Sequence, residues 1–139
     1  MGGLIGDGGQ VTNSYATGAV TGGGNSTVGG LLGNGGYGAR SSYSTGAVLA
    51  GTESLVGGFV GYDYTIGSTF RSSYWDLDTS GITDPNQGAG NTPNAPGIKG
   101  LGDSQLKAAL PKGFDPKVWG QSATINNGYP YLLANPPPK

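Results

Sequence analysis

Residues 14–20 read SYATGAV, and residues 42–48 repeat this phrase as SYSTGAV. The duplication extends outward, because Gly-Gly pairs beginning at Gly2, Gly29 and Gly57 recur every 27 to 28 residues. They divide the chain into three repeat units, residues 2–27, 28–55 and 56–81. Self-similarity at such a period is typical of solenoids, in which each unit stacks on its neighbours because one unit cannot bury its apolar face alone.

Each repeat unit begins with two apolar residues and continues to a Ser-Tyr pair. The intervening runs are short and bounded by Gly, Asn and Asp, which favours strands over helices. The repeats therefore predict an all-β fold, a parallel β-solenoid of about three coils whose equivalent strands stack about 4.8 Å apart. One inward ladder is expected from Leu4/Leu31/Phe59 or from Ile5/Leu32/Val60, and another from Val20/Val48. We also expect an aromatic stack of Tyr15, Tyr43 and Tyr74.

The composition excludes several classes of function. Charged residues make up 11% of the chain and the net charge is −1, which argues against nucleic acid as a partner. No apolar run approaches the roughly 20 residues of a membrane helix, so membrane insertion is not expected. The sequence has no cysteine and no histidine, which removes thiolate and imidazole metal sites and the commonest general base.

The GGLIG and SYATGAV phrases, with their copies, closely resemble GLUG repeats, the glycine-rich units of large bacterial surface adhesins similar to filamentous haemagglutinins. The resemblance covers about residues 2–81 and extends to SYWDLDTSG and the later INNGYPYLL. It implies a right-handed parallel β-helix in an exported protein of the extracellular space or bacterial cell surface. It also implies that the chain is part of a longer polypeptide.

After the repeats the sequence changes character. Residues 82–97 are rich in Pro, Asn and Gly and predict a loop. We expect residues 98–133 to form a C-terminal cap over the open end of the solenoid, with one short helix that begins at Asp103 and presents Leu106 on its apolar side. Trp75 and Trp119 are predicted to anchor this cap. Residues 134–139, ending in NPPPK, predict a proline-rich linker.

One stretch has the spacing of a calcium loop. Oxygen-bearing side chains occupy positions 1, 3, 5 and 9 of DLDTSGITD, and hard cations require several convergent oxygens. Position 12 is Gln87 rather than a bidentate glutamate, and no helix pattern flanks the loop. The alternative is that these residues hydrogen-bond within a turn. The residues concerned are Asp76, Asp78, Ser80 and Asp84.

A second group of residues suits ligand binding, because aromatic and arginine side chains on turns can stack on and hydrogen-bond to sugars or peptides. These residues are Tyr37, Arg40, Tyr62, Tyr64 and Arg71. We predict no catalytic residues and no enzyme activity, since the acids of the repeats occupy different phases: Asp7 aligns with Asn34 and Tyr62.

The sequence thus predicts a structural and adhesive segment that attaches to cells or matrix, with surface glycans or proteins as partners and no cofactor. The alternatives are a calcium-dependent binding module and, less favoured, a carbohydrate-active β-helix enzyme.

Overall fold

The computed structural model describes residues 1–64 and 69–138, and it folds them as a parallel β-solenoid with a C-terminal segment packed against it. Its coils are built from short strands joined by turns. The first coil contains β1 (Ile5–Asp7), β2 (Gln10–Thr12), β3 (Tyr15–Ala16), β4 (Val20–Thr21) and β5 (Thr27–Gly29). The second contains β6 (Leu32–Asn34), β7 (Gly38–Ser44), β8 (Val48–Leu49) and β9 (Leu55–Gly57). The third contains β10 (Val60–Tyr62) and β11 (Arg71–Asp76).

Equivalent strands stack in parallel and in the register that the repeats predict. On face A, formed by β1, β6 and β10, Leu32 pairs with Ile5 and with Val60. On face B, formed by β2, β3, β7 and β11, Tyr43 pairs with Tyr15 and Tyr74. On face C, β4 pairs with β8 and β5 with β9. The predicted all-β parallel solenoid of about three coils is therefore confirmed.

Both members of the apolar pair point inward in the second and third coils. Leu31, Leu32, Phe59 and Val60 are all fully buried. The N–H groups of Leu31 and Leu32 donate to the same carbonyl, that of Phe59, at 2.8 and 3.0 Å. Leu31 lies in the short connection between β5 and β6, outside either strand, so the in-and-out alternation of a strand does not apply to it. The predicted Leu4/Leu31/Phe59 ladder needs one correction, since Leu4 is 47% exposed.

The repeated glycines have a steric cause. A Cβ on Gly30 would lie 2.6 Å from the Ser44 hydroxyl oxygen, and one on Gly58 would overlap the Trp75 indole. The second glycine of the second and third pairs thus faces β7 or β11 across a narrow core, where a side chain would not fit. Three equivalent positions of face B adopt a left-handed backbone conformation with φ near 50°. They are Asn13, Ser41 and Ser72.

The solenoid continues beyond Gly81, the last residue of the three predicted repeat units. Strand β12 (Ile98–Leu101) pairs in parallel with β11 and extends face B, so residues 98–101 are not part of a separate cap. Residues 82–97 are not merely a loop either, because Ala89 forms a parallel bridge with Val60. Trp75 is buried in the solenoid core rather than in the C-terminal segment, and its indole N–H donates to the Ile82 carbonyl.

The C-terminal segment, residues 102–133, packs on the outer side of face B instead of the end of the solenoid. We call it the clasp. It contains α1 (Asp103–Ala108), β13 (Trp119–Gly120), a 3-10 turn (Asn126–Gly128) and β14 (Tyr131–Leu132). The N-cap of α1 is Gly102 rather than Asp103, and the Gln105 side chain accepts a hydrogen bond from the Gly102 N–H. Trp119 reaches the first coil, where its indole N–H donates to Asn13 at 3.3 Å.

Candidate functional site

Two of the predicted tyrosines, Tyr37 and Tyr64, lie between face A and face B, while the half-buried Tyr62 ends β10. Tyr37 stands between β6 and β7 and is 76% exposed, and Tyr64 follows β10 and is 59% exposed. Tyr62 and Tyr64 contact each other, with ring centroids 4.6 Å apart and planes inclined by 51°. Exposed aromatic rings of this kind offer flat apolar surfaces to a ligand.

The two predicted arginines lie side by side. Arg40 on β7 and Arg71 on β11 are direct register partners on neighbouring coils, and both are exposed. In the first coil, the residue in register with Arg40 is Thr12. Within the described residues, the ion pair between Lys107 and Asp103 is the only one, so neither arginine has an acidic partner there.

The clasp passes close to this arginine pair. Ser41, the residue after Arg40, donates its hydroxyl hydrogen bond to the Gly113 carbonyl at 2.9 Å. Tyr74 on β11 donates to the carbonyl of Lys112 at 2.7 Å. Lys112 is exposed, and its neighbour Gly113 accepts the hydrogen bond from Ser41 described above. We refer to Tyr37, Arg40, Tyr62, Tyr64 and Arg71 together as the Tyr/Arg corner.

Three of the four predicted calcium ligands, Asp76, Ser80 and Asp84, accept backbone hydrogen bonds within turns. Asp76 Oδ1 accepts the N–H groups of Asp78 and Thr79 at 2.8 and 3.0 Å. Ser80 Oγ accepts the Ile82 N–H at 3.0 Å, while Asp84 Oδ1 accepts the Asn86 N–H at 2.9 Å. In the portion of the chain described, no three acidic side chains form a group that could hold a metal ion. The hydrogen bonds of Asp76, Ser80 and Asp84 are those that the turn alternative predicts.

Sequence reasoning missed a cluster in which two acids share one tyrosine. The Tyr129 hydroxyl lies between Asp103 and Asp76, donating to Asp103 Oδ1 and lying 3.3 Å from Asp76 Oδ2. Asp78 Oδ2 also accepts the Asp103 N–H at 2.8 Å, so the start of α1 is attached to the end of β11 through two side chains. No row of repeated residues signals this cluster, because Asp103 and Tyr129 belong to the clasp.

The two acids have opposite electrostatic environments. Burial, which disfavours the charged form, raises the pKa of Asp76, and the nearby Asp103 adds to this. The pKa of Asp103 is lowered, first by the hydrogen bond from Tyr129 and then by the one from Lys107. Asp76 is fully buried, and the cluster joins the clasp to the solenoid; its chemistry is that of a polar attachment between two packed segments.

The tyrosine column of face B lies beneath the clasp. Tyr15 and Tyr43 stack with centroids 5.2 Å apart and planes 3° apart, as predicted. Tyr74 departs from the predicted stack and packs on Phe114 of the clasp, at 5.8 Å. Together with Trp119, these rings form much of a second apolar core. They serve packing between coils and clasp, whereas the Tyr/Arg corner stays exposed.

An open groove of about 550 Å³ lies along β12 and contains Asn86, Asn94 and Lys99 in its lining. None of the predicted binding or metal residues lines it. Across the described residues, no helix is long and apolar enough to cross a membrane. Comparisons with protein-family models, with curated proteins and with solved structures give no match to this chain.

Proposed function

We propose that this chain is a structural and adhesive segment of an exported bacterial surface protein, and that it presents the Tyr/Arg corner for attachment to cells or matrix. The observation that carries the proposal is the exposure of Tyr37, Tyr64 and two in-register arginines at one side of a stacked scaffold. The resemblance of residues 2–81 to GLUG repeats adds support. On this proposal the chain belongs to a longer polypeptide outside the cell or on its surface.

The physical argument is that rigid scaffolds favour binding by turn residues. Stacked coils fix the backbone on both sides of each turn, so side chains there lose little further freedom when a ligand binds. Tyrosine contributes a large contact area at low entropic cost, and arginine contributes planar hydrogen-bond donors. The expected partners are glycans or proteins of host or bacterial surfaces.

Attachment can be tested with beads coated at equal density with the wild-type chain or with variants. The beads would be counted after washing on host-cell monolayers, bacterial cells and immobilised matrix proteins. The wild type should attach to at least one of these surfaces, and the Tyr37→Ala/Tyr64→Ala variant should attach several-fold less to the same surface.

Leu49→Ala provides the matched control, because Leu49 is exposed on face C and lies outside the Tyr/Arg corner. It should attach like the wild type. Failure of the wild type to attach to any surface would contradict the proposed function. Equal losses in Leu49→Ala and in the double tyrosine variant would contradict the role of the corner.

A further inference from the structure

The register of Arg40 and Arg71 is electrostatically unfavourable by itself. Parallel pairing holds their Cα atoms on neighbouring strands, about 4.8 Å apart. Like charges placed directly opposite each other on a sheet are destabilising, and both side chains point away from the buried Ala39 and Phe70 that precede them. Thr12 at the equivalent position of the first coil shows that the column does not require a cation.

No ion pair between described residues joins Arg40 or Arg71 to an acid. The ion pair of Asp103 is with Lys107, and Asp76 and Asp78 are engaged at the junction of β11 with the clasp. Lys112, beside Gly113 of the clasp, adds positive charge near the corner. An anionic ligand would therefore meet two exposed arginines whose register partner in the first coil is the uncharged Thr12, while Asp63 lies at the neighbouring Tyr62 and Tyr64.

We propose that Arg40 and Arg71 form a binding site for acidic polysaccharide, a glycan chain that bears sulfate or carboxylate groups. This inference rests on the proposed attachment function and names its ligand class. The arginines can each donate paired hydrogen bonds to one anionic group, since the guanidinium matches the planar geometry of a carboxylate and the oxygens of a sulfate. Their regular spacing along the solenoid suits a polymer rather than a single ion.

The neighbouring tyrosines favour a glycan over other polyanions. Tyr37 lies three residues before Arg40, and its exposed ring can pack against the apolar side of a sugar ring. Nucleic acid binding draws its strength from many phosphate contacts, which a chain of net charge −1 with two paired arginines does not supply.

The test is binding of the full chain to four immobilised polymers: dextran sulfate, polygalacturonate, unmodified dextran and single-stranded DNA. The expected result is salt-sensitive binding to dextran sulfate, to polygalacturonate or to both, with the two arms distinguishing sulfate from carboxylate recognition. Arg40→Gln/Arg71→Gln should weaken this binding at least about tenfold. Arg40→Lys/Arg71→Lys should retain part of it, because the charges remain while the paired donors are lost.

Lys117→Gln is the matched control. It removes one exposed positive charge of the clasp, and Lys117 is not paired with Arg40 or Arg71. It should bind like the wild type. Undiminished binding by the double glutamine variant, or equal binding to unmodified dextran or DNA, would overturn the inference. Attachment of wild-type beads to cells or matrix without binding to either acidic polymer would also overturn it while leaving the proposed function standing. Because both arginines are exposed, circular dichroism should show all variants folded.

Discussion

The hydroxyl of Tyr129 lies 3.3 Å from Oδ2 of the fully buried Asp76 and donates a hydrogen bond to Asp103. This arrangement attaches the clasp to the end of β11. The Tyr129 hydroxyl is also the polar group that lies against Asp76 Oδ2, since the other Asp76 oxygen accepts two backbone N–H groups.

Removal of that hydroxyl should destabilise the protein. Tyr129→Phe leaves Asp76 Oδ2 facing Asp103 without the intervening donor, and an unpaired buried acceptor costs about 1–3 kcal/mol. Urea unfolding at neutral pH, followed by circular dichroism, measures the change. Tyr131→Phe is the control, because Tyr131 is only half-buried on β14, and it should leave the free energy of unfolding nearly unchanged.

Stability should depend on pH through Asp76. Because burial raises its pKa above the ordinary 3.8, the native state holds this proton more tightly than the unfolded state does. The contribution of Asp76 is therefore fully present below pH 3.8 and is lost as the pH rises through the higher folded-state pKa. Asp103 acts in the opposite direction: its lowered pKa gives stability above pH 3.8 that is lost on acidification.

Asp76→Asn separates these two effects. Asparagine keeps an oxygen for the N–H groups of Asp78 and Thr79 but cannot ionise. The stability of Asp76→Asn relative to the wild type should therefore increase as the pH rises above 3.8, in melting curves recorded between pH 3.5 and pH 8. A constant difference between the two proteins across this range would contradict the assignment.

The glycine opposite Trp75 should not tolerate a methyl group. In Gly58→Ala the new Cβ overlaps the indole, and overpacking of a buried site costs about 1–3 kcal/mol. Gly18→Ala is the matched control, because nothing lies within 4 Å of a Cβ at Gly18. It should be neutral or slightly stabilising in the same thermal melts. Equal effects of the two substitutions would contradict the packing described.

Substitution of the exposed residue Glu53 should stabilise the protein. Glu53 adopts φ 60°, a left-handed conformation that favours glycine or asparagine. Glu53→Gly and Glu53→Asn should each stabilise the protein by about 0.5–1 kcal/mol. Glu53→Ala retains the unfavourable conformation and should stabilise it little. A ranking in which alanine is the best of the three would show that backbone conformation does not determine stability here.

Calcium should leave the melting temperature unchanged. The side chains of Asp76, Ser80 and Asp84 already accept backbone hydrogen bonds within their turns. Melting curves in 2 mM Ca²⁺ and in excess EDTA should therefore coincide. A higher midpoint in calcium would instead favour the metal-ligand interpretation of these residues, because a ligand that binds only the native state stabilises it.

The repeats made the coil register predictable. Equivalent residues must pair with one another when identical units stack, so the alignment of Tyr15, Tyr43 and Tyr74 followed from the sequence. The inward position of both Leu31 and Leu32 was not predictable, since it depends on a connection between β5 and β6 in which two N–H groups share one carbonyl.

The clasp was not predictable in its position, although its short helix was. The contact between Trp119 and Asn13 joins residues far apart in sequence, and neither belongs to a repeated pattern that connects them. The tyrosines and arginines were predicted to bind a ligand from their residue type and their place near turns, and this stays a prediction. The pairing of Arg40 with Arg71 is already present in the sequence, because each arginine begins an RSSY phrase and lies three residues before an aligned tyrosine.

The most direct test of the account is the stability of Leu31→Asp beside Leu4→Asp. The two leucines hold equivalent positions in successive coils, but Leu31 is fully buried in the inward ladder and Leu4 is half-exposed. The account predicts that Leu31→Asp loses the β-sheet circular dichroism signal and its cooperative melt, because it buries a charge, while Leu4→Asp remains folded. A Leu31→Asp protein that is soluble and melts like the wild type would contradict the stacked ladder on which every outward surface depends.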